Sequence, residues 1–243
     1  IHDDVVDDAT LRRGRPSINR VWKNKISVLM GDFILSKALI NMIGLKDFDA
    51  LEQISNTAEK LSAGEILQIE KSITRSMTED VYFDMISQKT ASLIATSCEL
   101  GAITTTKKEK DRQATFSFGE NLGMAFQIKD DLFDLLGNEN DTGKNNGGDV
   151  KRNMATLPLI FSKNNMSRSA YKKLKKLLDV KKKSRLVISQ IVQIIEETGG
   201  VEYARKKLDE YSQKAIESIL VYPDTPIRQS MCDLVDFNTS RVK

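Results

Sequence analysis

Asp3-Asp4-Val5-Val6-Asp7-Asp8 stands at the start of the chain, and Asp130-Asp131-Leu132-Phe133-Asp134 repeats its spacing in the middle. Both are Asp-Asp-x-x-Asp clusters in sequence that reads as helix. In an α-helix, positions i and i+4 share a face, about 6 Å apart along the axis. Asp3 and Asp7 are therefore predicted to project together, and so are Asp130 and Asp134. An acidic row repels itself until cations neutralise it. Two rows facing each other are expected to hold hard divalent cations through oxygen. Mg²⁺ suits them, because it keeps several waters and binds few carboxylates plus substrate phosphates. One such tetrad is more often a solvated helix face. Two copies of one spacing, both in apolar helical context, favour the metal reading. Neither cluster alternates its ligands or carries the central Gly of an EF-hand loop.

The 243 residues are 40% hydrophobic and 29% charged, enough for one large domain with a substantial core. Gly (13), Pro (4) and aromatics (6%) are sparse, which is the composition of an all-α protein. A single all-α domain over 1–243 is the expected organisation, since neither a composition break nor a fixed-period repeat divides the chain. A net charge of +3 is too small to argue for nucleic acid or a membrane surface, and no nucleic-acid partner is expected. Cys98 and Cys232, both in apolar helical context, read as reduced core thiols, which places the chain in the cytoplasm. No uninterrupted run of 18 apolar residues occurs, so no transmembrane segment is expected, and no signal peptide is recognised. The acidic cluster begins at Ile1 without a helix cap, so the chain reads as lacking its N-terminal helices.

Residues 1–10 read as the end of a helix, and Leu11-Arg12-Arg13-Gly14-Arg15-Pro16-Ser17 as a basic turn. Arginines beside an acidic row suit a polyanion bridging both, because the guanidinium fork pairs bidentately with phosphate. The bland alternative is an ion pair between Arg12 or Arg13 and the aspartates. Helices are expected over 19–44, with Gly31 as a packing or kink point, and over 47–74. Another starts near a Thr78 cap and runs to about Thr104. It contains the small-residue stretch Lys89-Thr90-Ala91-Ser92-Leu93-Ile94-Ala95, suited to close helix contacts. Lys89 is either a snorkelling surface lysine or a phosphate contact. A buried helix over 109–137 carries the second row, with Gln127 one turn before Asp130 and Gly137 at its end. Asn138 to Gly148 is a polar connector or a lid. Ala155 to Ile160 begins a short buried helix, and helices at about 168–179, 185–198, 201–220 and 225–236 complete the chain. The lysine runs at 172–176 and 181–183 read as solvated faces.

These motifs, in this order, resemble the trans-isoprenyl diphosphate synthases, the polyprenyl synthetase family. The matching segments are His2-Asp3-Asp4-Val5-Val6-Asp7 with Arg12-Arg13-Gly14, Gly64-Glu65, Lys89-Thr90-Ala91, Phe126-Gln127-Ile128-Lys129-Asp130-Asp131-Leu132-Phe133-Asp134, Gly143-Lys144, Asp149, Thr156-Leu157-Pro158-Leu159 and Gly199-Gly200-Val201-Glu202-Tyr203-Ala204. The resemblance implies a helical bundle around a central active-site cavity, usually a homodimer. It also implies condensation of isopentenyl diphosphate with an allylic diphosphate to a longer polyprenyl diphosphate of E configuration. It gives Asp3, Asp7 and Asp130 as Mg²⁺ ligands, three ions with substrate bound, with Asp4, Asp131 and Asp134 close behind or bound through water. Arg12, Lys89, Gln127 and Lys144 would hold the allylic diphosphate, Arg13 would contact isopentenyl diphosphate, and Thr90 and Gln127 would line the carbocation's path. Asp3, Asp7, Lys89, Asp130 and Lys144 form the implied catalytic set. Met154 departs from the family, which usually has Lys there. A terpene cyclase and a non-catalytic subunit of a heteromeric synthase are the rival readings. The all-Asp second motif argues against the first, and retention of both motifs against the second.

Overall fold

The computed structural model describes residues 1–137 and 147–241. The chain forms two compact units, 1–54 and 55–243.

In the first unit a short helix α1 (His2–Val6) leads to an antiparallel hairpin of β1 (Leu11–Arg12) and β2 (Arg15–Pro16). The predicted basic turn is thus a hairpin, with Arg12 opposite Arg15 and only Arg13 and Gly14 at its tip. Both tip residues have positive φ, 52° and 75°. Such a pair is what a two-residue hairpin needs to match strand twist. Gly14 takes that conformation freely. Arg13 takes it at a cost of about 1–2 kcal/mol. Helix α2 (Ile18–Leu45) follows. Its break lies at Lys23, which has φ 68° and ψ 163°, and not at Gly31. Gly31 is instead a packing site: a Cβ there would lie 2.3 Å from His2 Nε2.

Helix α2 bears on the expectation that the chain has no transmembrane segment. Between Ile26 and Leu45 only Asp32 and Lys37 are charged. By length and composition α2 is apolar enough to cross a bilayer. Two isolated charges break an unbroken apolar run but barely change its average. Its large side chains are exposed, with Trp22 at 64% and Phe33 at 58%.

In the second unit, helix α3 (Phe48–Thr74, continuing from the first) precedes α4 (Glu79–Ile86). Thr78 caps α4 by accepting from the Val81 N–H at 3.4 Å, as its sequence suggested. The expected single helix to Thr104 is interrupted: Ser87–Ala91 forms one π turn before α5 (Ser92–Ile103). Helix α6 (Glu109–Leu136) is the axis of this unit and packs mainly on α5 and on α11 (Gly200–Ser218). Its approach to α5 depends on Gly119 and Gly123. A Cβ on Gly123 would lie 2.5 Å from the Ala91 Cα, and one on Gly119 2.7 Å from the Ala95 Cα. The remaining elements are α7 (Gly148–Lys151), α8 (Leu157–Asn165), α9 (Arg168–Leu178), α10 (Arg185–Glu197) and α12 (Pro226–Ser240). Their core joins Tyr82, Ile86, Ile128, Leu132, Leu157, Ile160, Ile191 and Ile195. At roughly 1.5–3 kcal/mol for each large side chain removed from water, this core is what keeps α6 in place.

Candidate active site

The first row keeps the predicted geometry. Asp7 caps α1 in near-helical conformation and its N–H donates to the Asp3 carbonyl at 2.8 Å. Asp3 and Asp7 are both exposed, on one face. Asp4 faces inward and is buried. Its Oδ1 accepts from Arg12 Nε at 2.8 Å and lies 2.6 Å from Arg12 Nη2. The bland ion pair considered for Arg12 is therefore what this structure holds, and it leaves Asp3 and Asp7 as the outward members of the row. The chain beyond the row is fastened by Ser17 and Asn19. Ser17 donates to the Ala9 carbonyl at 2.6 Å, and Asn19 to the Asp4 and Ala9 carbonyls, both at 3.0 Å. Neither anchor was singled out from sequence. The only available signal was their place after Pro16 at the start of a helix. Arg13 is exposed at the hairpin tip.

The second row lies on the last turns of α6, and its three aspartates have three different environments. Asp130 pairs with Arg241 at 2.6 Å. Arg241 also stacks 4.2 Å from the Phe126 ring centroid and donates to the Phe126 carbonyl at 3.2 Å. Asp134 accepts backbone N–H groups from Gly148 at 3.1 Å and Asp149 at 2.9 Å, and so ties α7 to α6. Asp131 is buried. It accepts from the Tyr82 hydroxyl at 2.7 Å and from Gln127 Nε2 at 2.8 Å. Burial, and then the nearby charge of Asp149, raise its pKa to about 8, against the pull of those two hydrogen bonds. Asp134 is raised for the same two leading reasons. Desolvation and carboxylate repulsion thus leave this end of α6 short of positive charge. Its donors are all oxygens, so it fits a hard divalent cation. Among the described residues, no three His, Cys, Asp or Glu side chains are gathered closely enough to hold a metal alone.

The π turn places the predicted substrate residues. Widening the helix at Ser87–Ala91 turns Thr90 toward α6, where its hydroxyl donates to Gln127 Oε1 at 2.7 Å. Thr90, Gln127, Asp131 and Tyr82 thus form one hydrogen-bonded chain. Lys89, on the same turn, pairs with Glu65 at 2.5 Å and donates to Gln68 Oε1 at 3.1 Å. Gly64 admits the turn, since a Cβ there would lie 2.7 Å from the Lys89 nitrogen. π turns are rare and concentrate at functional sites. Lys144 lies outside the described residues.

The all-helical unit, the aspartate row on α6 and the Lys89–Thr90 turn packed on Gln127 fit the resemblance drawn from the sequence. The comparisons agree. The model of the polyprenyl synthetase family matches residues 1–195. All-trans-nonaprenyl-diphosphate synthase (geranyl-diphosphate specific) of Rhodobacter capsulatus is 31% identical over 243 residues, which is all of this chain and 74% of that protein. Heptaprenyl diphosphate synthase component 2 of Bacillus subtilis is 34% identical over 237 residues, 98% of this chain and 67% of that protein. The crystal structure of a decaprenyl diphosphate synthase from Rhodobacter capsulatus superposes with a TM-score of 0.92 at 32% identity, covering 100% of this chain and 74% of that one. A polyprenyl synthase from Caulobacter crescentus, complexed with calcium and isoprenyl diphosphate, gives 0.91 at 30% identity, with the same coverage. The chain belongs to the polyprenyl synthetase family. It has the all-α isoprenoid-synthase fold and is an enzyme of prenyl transfer, and neither rival reading is favoured.

Proposed function

We propose that the enzyme uses Mg²⁺ to condense isopentenyl diphosphate with an allylic diphosphate, extending a long polyprenyl chain in the E configuration. The observation that carries this is the patch on the second unit. There Lys89 and Thr90 on the π turn and Gln127 beside Asp130 stand together, one hydrogen bond joining Thr90 to Gln127. Three of the proteins compared above are named for nonaprenyl, heptaprenyl and decaprenyl diphosphate synthesis, which supports the long-chain reading.

Asp3, Asp7 and Asp130 are the proposed ligands of three Mg²⁺ ions, with Asp4, Asp131 and Asp134 supporting them. Bound Mg²⁺ would supply charge neutralisation of the leaving diphosphate. Arg12, Arg13, Lys89 and Lys144 would bind the diphosphates by charge-assisted hydrogen bonds. The Thr90 and Gln127 dipoles, held in position before reaction, would face the allylic cation as it forms. The allylic C–O bond breaks, the isopentenyl double bond attacks that carbon, and a proton leaves the new chain. The departing diphosphate accepts that proton, so no protein base is required. A homodimer in the cytoplasm is the proposed state, in keeping with the exposed apolar length of α2 and the two free thiols.

The test is incubation of the enzyme with Mg²⁺, farnesyl diphosphate and labelled isopentenyl diphosphate, followed by chromatography of the dephosphorylated product. A ladder of longer linear prenols is the expected result. No incorporation with any allylic primer, or a cyclic hydrocarbon from one diphosphate, would overturn the proposal.

A further inference from the structure

A second cationic site lies within the larger unit, apart from the aspartate rows and the Lys89–Thr90 turn, although Met154 and Leu159 of its lining belong to the stretch around Thr156-Leu157-Pro158-Leu159. The end of α3, α8 and α9 enclose a cavity of about 320 Å³. Pockets for small ligands start near this size. Four cations line it, Lys71, Arg75, Lys163 and Lys175, against one carboxylate, Asp179. Arg75 is paired with Asp179 at 2.5 Å, and Lys71 with Glu70 at 2.9 Å. Lys163 and Lys175 have no ion-pair or hydrogen-bond partner for their ammonium groups among the described residues. Lys163 is half-buried, and burial together with the charge of Arg75 pulls its pKa below the ordinary lysine value. Just beyond the lining, Lys183 donates to Asn153 Oδ1 at 2.8 Å; burial and the charge of Arg75 pull its pKa down, against the opposing pull of Asp179. Arg75 and Lys175 are exposed, whereas Lys163 is half-buried and faces the charge of Arg75; such a cation is penalised by both desolvation and repulsion. An anion between the two removes both penalties. The same lining carries apolar side chains, Val150, Met154, Leu159 and Leu178; Leu159 stands one helical turn from Lys163, and Leu178 one turn from Lys175.

Cations and aliphatic side chains lining one cavity describe an amphiphilic ligand. We propose that this cavity binds a small soluble phosphate or diphosphate ester carrying a short apolar chain. The phosphate would lie between Lys163 and Arg75, and the chain against Met154 and Leu159. The site differs from the aspartate rows in having no cluster of carboxylates, so it needs no divalent metal.

That difference supplies the test. Binding of geranyl diphosphate to the full chain is measured by titration calorimetry in excess EDTA, for wild type, Lys163→Gln and Asp130→Asn. The expected result is saturable binding to wild type, weakened at least about tenfold in Lys163→Gln and unchanged in Asp130→Asn. Inorganic diphosphate is expected to bind more weakly than the geranyl ester, because the apolar side chains then contribute nothing. Lys163→Gln removes an unpaired charge, so its thermal midpoint without ligand is expected to equal or exceed that of wild type, which separates lost binding from lost folding. Equal binding by wild type and Lys163→Gln, or no saturable binding, would overturn the proposal. Binding only to phosphatidylcholine vesicles containing phosphatidic acid would also overturn it, by assigning these cations to a lipid headgroup.

Discussion

Asp131→Asn isolates the buried carboxylate at the centre of the second row. The structure holds Asp131 away from water with two hydrogen-bond donors, Tyr82 and Gln127, and with the charge of Asp149 nearby. Its pKa is about 8 in the native protein, against about 3.9 in an unfolded chain. Between those values the native state binds a proton that the unfolded state has released. The contribution to stability is therefore fully present below about pH 4 and is lost as pH rises through 8. The slope in that window approaches 1.4 kcal/mol per pH unit. Asparagine has nearly the same shape and does not titrate. The assay is urea unfolding of both proteins at pH 5, 6 and 7 in EDTA. Relative to the variant, wild type is expected to lose about 2–3 kcal/mol between pH 5 and pH 7, from that same slope. Parallel stability profiles across this range would refute the reasoning, because they would show that Asp131 ionises as an ordinary carboxylate.

Two further predictions follow from particular contacts. Gly123→Ala places a methyl 2.5 Å from the Ala91 backbone, and such overpacking costs about 1–3 kcal/mol. Its thermal midpoint should fall by several degrees, whereas Gly101→Ala, whose Cβ meets nothing within 4 Å, should be neutral or slightly stabilising; equal midpoints would remove the close helix contact from the account. Arg241 occupies Asp130 at 2.6 Å, so Arg241→Gln should lower the Mg²⁺ concentration for half-maximal activity by about two- to fivefold, the range of a partly exposed ion pair. A higher requirement in the variant would show that Arg241 supports the metal instead of competing with it.

The features legible from sequence are those encoded by short, regular spacing. Asp3 and Asp7 share a face because i and i+4 do so in any helix, and Thr78 is a cap because a hydroxyl at a helix start accepts a free N–H. The features that escaped depend on contacts distant in sequence or on backbone forms without a residue code. Nothing in Ser87-Gln88-Lys89-Thr90-Ala91 announces a π turn, which α6 and α3 select through Gly123 and Gly64. The pairs Tyr82–Asp131 and Arg241–Asp130 span 49 and 111 positions, beyond any local pattern. The break in α2 falls at Lys23, a residue with no breaking tendency, while Gly31, the natural suspect, only makes room for His2. Arg12 was expected to reach either phosphate or an aspartate, and the choice of Asp4 follows from the hairpin that brings its side chain back over α1.

The most direct test of the central claim is turnover of Asp130→Ala with labelled isopentenyl diphosphate, an allylic primer and saturating Mg²⁺. Loss of one electrostatic stabiliser of the leaving diphosphate predicts a fall of at least about a hundredfold, with the fold intact by circular dichroism. Turnover within a few-fold of wild type would contradict the assignment of the aspartates to diphosphate departure.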